Sequence, residues 1–225
     1  MQFLRIVFFL CIFLLIFLLG FRVAFYDDGY YQKQFEMNKV YEVFGKERVD
    51  DANKELLAYL NEDGPLQTDF FNDREKQHLV DVQGMVGTAL NGFYLALFLF
   101  LATTLYFFLT KQKDFLSRAF LWAGACGLVV ILVLFFMTLI DFNWLFTLFH
   151  VLGFQNELWL LNPVDSNLIQ MFPLSFFYGM LVRILLYAAV FSLLVILVGL
   201  YLKKYALPEI FRSRQWGRLF FSQKI

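Results

Sequence analysis

Four long uncharged runs constrain this chain more than any other feature. Ile6 to Tyr26 is interrupted by Arg22 alone, no charge lies between Asp81 and Lys111, none from Ala119 to Ile140, and none from Ile184 to Leu202. Crossing about 30 Å of bilayer hydrocarbon takes roughly 20 mostly apolar residues. Backbone N–H and C=O groups find no water in lipid, so each run must bond them internally as a helix. The 31 phenylalanines and the 60% hydrophobic content suit lipid-facing helices better than a soluble core. The reading is an all-α polytopic membrane protein, one membrane domain over residues 1–225, with spans at about 6–26, 85–110, 119–140 and 180–202. The first run reads as an uncleaved anchor. It is longer than a signal-peptide core, and Gly20-Phe21-Arg22 stands where a small-x-small cleavage site would be needed.

Charge orients the spans. With the N-terminus inside, the inner segments hold ten cations and two acids: Arg5, the loop 111–118, and a basic tail 203–225. The outer segments, 27–84 and 141–179, hold seven cations and seventeen acids. Lysine and arginine enriched on short cytoplasmic segments is the usual bias of membrane proteins. Both termini are therefore expected inside. Two further uncharged stretches, Phe142–Asn156 and Ser166–Val182, are broken by Asn143, His150, Gln155, Asn167, Gln170 and Pro173. They are read as an interfacial or re-entrant segment on the outer face. Cys11 and Cys126 both fall inside spans, away from an oxidising aqueous loop, so no disulfide is implied and both read as small apolar residues.

The outer insert 27–84 is expected to be helical in part. Val49, Ala52, Leu56, Tyr59 and Leu60 recur at helical spacing and stop at Asp63-Gly64-Pro65, which predicts a surface helix from about Glu47 to Asn61. Asn72-Asp73-Arg74-Glu75 reads as a capping box, and no proline follows before Lys111, so a helix should run from there into the second span. At 1.5 Å per residue this puts His78 roughly 10 Å above a hydrocarbon boundary near Met85, at headgroup depth.

The chain has two histidines, His78 before the second span and His150 after the third. Both map to the outer surface, and imidazole titrates near neutral pH, as general acid–base work requires. Asp81 lies one helical turn from His78 and could orient it, or could be an ordinary solvated acid. Around His150 the chain mixes apolar and polar side chains densely. Trp159, Asn162 and Asp165 could line a site or could close the loop on itself. Arg22 and Arg183 lie near outer helix ends, where an arginine can snorkel, hold a lipid headgroup or pair with Asp165. There is no Gly-x-Ser-x-Gly elbow, no phosphate-binding glycine loop and no aqueous cysteine nucleophile. No cofactor is indicated. Nor is nucleic acid, since the basic tail fits anionic inner-leaflet lipid.

The stretches His78-Leu79-Val80-Asp81-Val82, Phe149-His150 with Trp159, and Asp165-Ser166-Asn167-Leu168-Ile169-Gln170-Met171-Phe172-Pro173 resemble the lipoprotein intramolecular transacylases, bacterial four-span membrane proteins. Gln83 stands where the family pattern has a lysine, and Leu174 where it has an acid. The resemblance implies a diacylglyceryl-lipoprotein substrate in the bacterial cytoplasmic membrane. It further implies transfer of the sn-2 acyl chain to the α-amine of the N-terminal cysteine, with His78 and His150 as the catalytic pair. Such a reaction needs no nucleophile from the enzyme. His150 as base with His78 as acid, the reverse assignment, and one histidine shuttling the proton while the other stabilises the oxyanion all remain open here. Two other classes also remain open. One is a metal-dependent hydrolase of a lipid or lipoprotein ester using His78, His150, Asp81 and Asp165. The other is a membrane scaffold without catalysis.

Overall fold

The computed structural model describes residues 1–206; Glu209, Arg212, Arg214, Arg218 and Lys224 of the expected basic tail lie outside the described residues. Among the described residues there are eight helices and no strand. In chain order they are α1 (Gln2–Phe25), α2 (Asp28–Met37), α3 (Val40–Phe44), α4 (Lys46–Leu60), α5 (Asp73–Leu109), α6 (Lys113–Gly153), α7 (Asn167–Met171) and α8 (Leu174–Ala206). Four of them, α1, α5, α6 and α8, are long and apolar enough to cross a membrane. Only 17–28% of the most apolar stretch of each is buried within the protein. The remainder is an apolar exterior. On α5, for instance, Leu95, Phe98, Leu101, Leu105 and Phe108 are all exposed, a face suited to lipid rather than water.

The described chain divides into two compact units. The first comprises residues 1–16, 95–130 and those from 188 on; the second comprises residues 17–94 and 131–187. In the first unit Phe8 is fully buried, with the rings of Phe100, Phe107, Phe115 and Phe120 at 5.6–5.9 Å. Small residues let helices α6 and α8 approach closely, since a Cβ on Gly124 would stand 2.6 Å from Ile196 and 2.8 Å from the Ser192 carbonyl oxygen. The Ser117 hydroxyl donates to the Gly199 carbonyl at 2.9 Å, so a polar bond reinforces that contact.

The second unit carries the polar segments. Helix α4 spans the expected stretch, with Val49, Ala52, Leu56 and Leu60 buried along one face and Tyr59 half-buried. Two short helices precede it that the sequence reading left unassigned. The Asp27 carboxylate caps α2 by accepting from the Tyr30 N–H. Lys39 (φ 59°) and Gly45 (φ 82°) then turn the chain through left-handed or positive-φ backbone on either side of α3. These turns bring Tyr30, Tyr31, Phe35 and Val40 into one core with Phe70, Phe172 and Phe176.

Two local signals shape the rest of this unit. The capping box at the start of α5 forms as expected: the Glu75 N–H donates to Asn72 Oδ1 at 3.0 Å, and the Asn72 N–H donates to Glu75 Oε2 at 2.7 Å. In α6 the backbone leaves the helical region at Asp141 (φ −157°, ψ 91°). The Asp141 carboxylate accepts from the Trp144 N–H at 2.9 Å, so it ends one helical stretch and caps the next. The uncharged run from Phe142 is thus a second helical piece, residues 142–153. It is followed by an irregular segment and then by α7, whose cap is Ser166. Pro173 disfavours helical backbone at Phe172, and α8 begins immediately after it.

Candidate active site

The second unit brings the two histidines together. His78 stands on the first turns of α5, ahead of the apolar run that begins near Met85, and His150 stands on the piece of α6 beyond the break at Asp141. Their ring centroids are 6.3 Å apart, and the residues are only 7% and 8% exposed. Phe154 packs on both, 5.0 Å from His78 and 5.4 Å from His150. Its backbone N–H donates to the His150 carbonyl, which folds the chain back over the end of α6 and sets the ring there. Phe146, one turn before His150, and Trp159 enclose the His150 ring at 4.2 and 5.0 Å.

The ring nitrogens are distinguishable. His150 Nδ1 lies 2.7 Å from the Phe146 carbonyl oxygen. A carbonyl can only accept, so Nδ1 carries the proton and Nε2 bears the lone pair. His78 Nδ1 is buried and has no hydrogen-bond partner among the described residues, an uncommon condition for a buried polar atom. Burial, and after it the facing His150, lowers the His78 imidazole from its ordinary 6.5 to about 4, with the nearby Asp81 charge pulling the other way. Burial also lowers His150, opposed by its bond to Phe146. Both rings are therefore neutral at pH 7, each with one donor and one acceptor.

Beside the pair lies a cavity of about 690 Å3, walled by α5 from Val80 to Ala89 and by Gly153 to Asn156. Its lining is largely apolar, and Phe154 is common to the cavity and the histidine cluster. Asp81 is on this wall, but it is not hydrogen-bonded to His78. Its Oδ2 accepts from Asn156 Nδ2 at 2.9 Å, and this contact replaces the orienting bond expected from the sequence. A carboxylate one turn along a helix reaches His78 through its field, whereas the loop after α6 supplies a better-placed donor.

The other candidates are distributed. Trp159 is against His150. Asn162 and Asp165 line a second, smaller cavity of about 330 Å3 with Asn72, Arg74 and Ser166. Arg22 donates to the Tyr94 hydroxyl at 3.1 Å and lies over the rings of Tyr26, Phe93 and Tyr94. Arg183 pairs with Asp27 and donates to the Tyr187 hydroxyl, so its acid partner is Asp27 and not Asp165. Asp27 is at the start of α2, an element the sequence reading did not assign. The set His78, His150, Asp81 and Asp165 does not converge, and among the described residues no three His, Cys, Asp or Glu side chains are grouped to hold a metal ion.

One residue of the site escaped the sequence reading. Glu75, assigned there only to a cap, is completely buried. Its Oε1 accepts from the Ser166 hydroxyl at 2.5 Å and from the Leu168 N–H at 2.9 Å, while Oε2 serves Asn72. One carboxylate therefore joins the start of α5 to the start of α7, one helical turn from His78. Arg74 adds bonds to the carbonyls of Glu157 and Leu160, tying down the loop that carries Trp159.

A family model described as lipoprotein intramolecular transacylase Lit matches residues 6–177 of the chain. A protein of Aquifex aeolicus (strain VF5), described as uncharacterized, is 27% identical over 135 residues; the match spans 60% of this chain and 59% of that protein's length. Among solved structures, the membrane integral lipoprotein intramolecular transacylase Lit from Bacillus cereus superposes with a TM-score of 0.81 at 23% identity, covering 91% of this chain and 96% of that one. A structure of the same Bacillus cereus protein with one histidine replaced by arginine gives 0.74 at 22% identity, covering 91% and 92%. At such identities the structural likeness is one of fold.

Proposed function

The chain belongs to the lipoprotein intramolecular transacylase Lit family, and on that premise we propose that it moves the sn-2 acyl chain of a diacylglyceryl-modified lipoprotein onto the α-amine of the same molecule's N-terminal cysteine. The observation that carries this reading is the buried, adjacent pair of neutral histidines, His78 and His150. In the proposed reaction the amine nitrogen attacks the sn-2 ester carbonyl carbon, the bond from that carbon to the glycerol oxygen breaks, and an amide forms. A proton leaves the attacking nitrogen and one reaches the departing oxygen, so enzyme groups end as they began. Nucleophile and ester sit in one molecule. Holding them in reacting geometry replaces an enzyme nucleophile, and in favourable intramolecular cases this is worth about 7–11 kcal/mol.

The tautomer of His150 favours it as the base. With Nδ1–H held by the Phe146 carbonyl, the Nε2 lone pair is the group available to take the amine proton and return it to the sn-2 oxygen. A neutral His78 then donates its ring N–H to the oxyanion of the tetrahedral intermediate, an arrangement in which a lowered imidazole pKa keeps the donor uncharged. The lysine and arginine bias supports placing the site on the outer face of a bacterial cytoplasmic membrane with both termini inside.

The test is replacement of each histidine by alanine and by asparagine, followed by mass spectrometry of the lipoprotein N-terminus. Loss of positioned acid–base catalysis is expected to slow N-acylation about 100- to 10,000-fold. Wild-type rates in both His78→Ala and His150→Ala would end the proposal.

A further inference from the structure

The cavity beside the histidines contains one charged group. Its wall residues Val80, Met85, Ala89 and Phe154 are apolar, and Thr88, Gln155 and Asn156 are polar but neutral. Asp81 is the single formal charge among the described residues lining it. The carboxylate is half-buried and has one oxygen, Oδ2, engaged by Asn156; Oδ1 has no hydrogen bond among the described residues. An isolated carboxylate with a free oxygen, in a mostly apolar hollow, has the chemistry to hold an alkylammonium group.

We infer that Asp81 binds the α-ammonium of the substrate's N-terminal residue. This rests on the transacylase reading and deepens it, because it assigns the polar end of the substrate to a specific side chain. An α-amine with an ordinary pKa of roughly 7.7–8.0 is largely protonated at neutral pH. Against the largely apolar wall of this open hollow an anionic partner favours that charge. Asp81 supplies one within a turn of His78, with the Asn156 amide fixing the carboxylate in place. Phe154 is common to the cavity wall and the histidine cluster; the ammonium held at Asp81 gives up one proton to solvent before its nitrogen, now neutral, attacks the ester as proposed above. The role differs from the orienting role expected from the sequence, in that Asp81 touches substrate rather than histidine.

The experiment separates charge recognition from catalysis by using ligands that cannot react. Two lipopeptides carry an ether in place of the sn-2 ester, one with the α-amine and one with hydrogen in its place. Their affinities are measured at pH 7 for the full-length protein in nanodiscs. The wild type is expected to prefer the amine form by about tenfold, and Asp81→Asn to abolish that preference with little change in affinity for the des-amino ligand. Asp81→Glu should restore it in part. Asn156→Ala removes the same side-chain bond but leaves the carboxylate, and should retain most of the preference; a merely structural clasp would give equal losses in both variants. A wild type indifferent to the amine, or an Asp81→Asn protein that keeps its preference, would overturn the inference. Failure of the transacylase reading is visible separately, as absence of N-acylation when the wild type is given the ester-linked amine lipopeptide.

Discussion

Replacing Glu75 by glutamine and by alanine should separate two kinds of loss at the same buried point. The carboxylate accepts three hydrogen bonds, two at Oε1 from Ser166 and Leu168 and one at Oε2 from Asn72, with the residue fully buried. Glutamine can keep its oxygen at the Oε1 position and both bonds there. Its NH2 group then faces the Asn72 N–H, donor against donor, so one bond is lost and one N–H is left unpaired. A bond to a charged acceptor contributes about 1.5–3 kcal/mol, and leaving a buried group unpaired costs about 1–3. Partial exposure of Asn72 moderates this, and about 1–2 kcal/mol is expected for Glu75→Gln. Alanine removes all three acceptors and leaves a void. Single substitutions rarely exceed 4–5 kcal/mol, and about 3–5 is expected here. The assay is thermal unfolding of the detergent-solubilised protein at pH 7, followed by tryptophan fluorescence, with N-acylation measured alongside. Because His78 is one turn from Glu75, activity should fall in the same order. A Glu75→Gln protein as stable as wild type, or an alanine variant no worse than the glutamine one, would refute this account of the carboxylate.

Three further outcomes are expected. The chain has two histidines, so labelled ring signals can be followed individually by NMR. The His78 midpoint should lie about 4 and that of His150 below the ordinary 6.5; a His78 midpoint near 6.5 would mean that water reaches the ring. Because the unfolded chain protonates near 6.5 while folded His78 waits until about 4, the unfolded state binds more protons in that interval, and stability should decline as pH drops through it. Asp141→Ala removes the cap that restarts α6 and should cost about 0.5–2 kcal/mol, with reduced N-acylation and recovery in Asp141→Asn; an alanine variant of wild-type stability and activity would contradict the capping role.

The parts of this fold that were legible in sequence are those governed by local physics. Apolar run length gives the four long helices, because the demand for internal backbone bonds acts on each segment alone. The Asn72–Glu75 box and the Val49–Leu60 stripe are likewise encoded within a few residues. What escaped was non-local or misweighted. Nothing near Glu75 announces that its second oxygen meets Ser166 and Leu168, over 90 positions away. The partner of Asp81, Asn156, is 75 residues distant, and a helical-turn neighbour looked like the better match for the carboxylate. The Asp27 and Asp141 caps were readable as acids before helical runs. The helices they start, however, are short or have the mixed polar composition of an interfacial loop, so the local pattern does not distinguish a cap from a loop acid.

The break at Asp141 also bears on vertical register. From Ala119 to Gly153 the sequence holds one formal charge, Asp141 itself. Unbroken, that stretch would make a helix about 50 Å long, far more than the roughly 30 Å of hydrocarbon it has to cross. Such a rod could slide by several turns with no charge entering lipid, and the height of His150 would slide with it. An acid at a helix end pins one point of the rod to the membrane–water boundary. On the outer-face placement proposed above, changes of bilayer thickness would be taken up by tilt of the span before the break, and His150 would keep its level. N-acylation in vesicles of short- and long-chain lipids should accordingly stay within a few-fold; a steep dependence on thickness would show that the level is not pinned there.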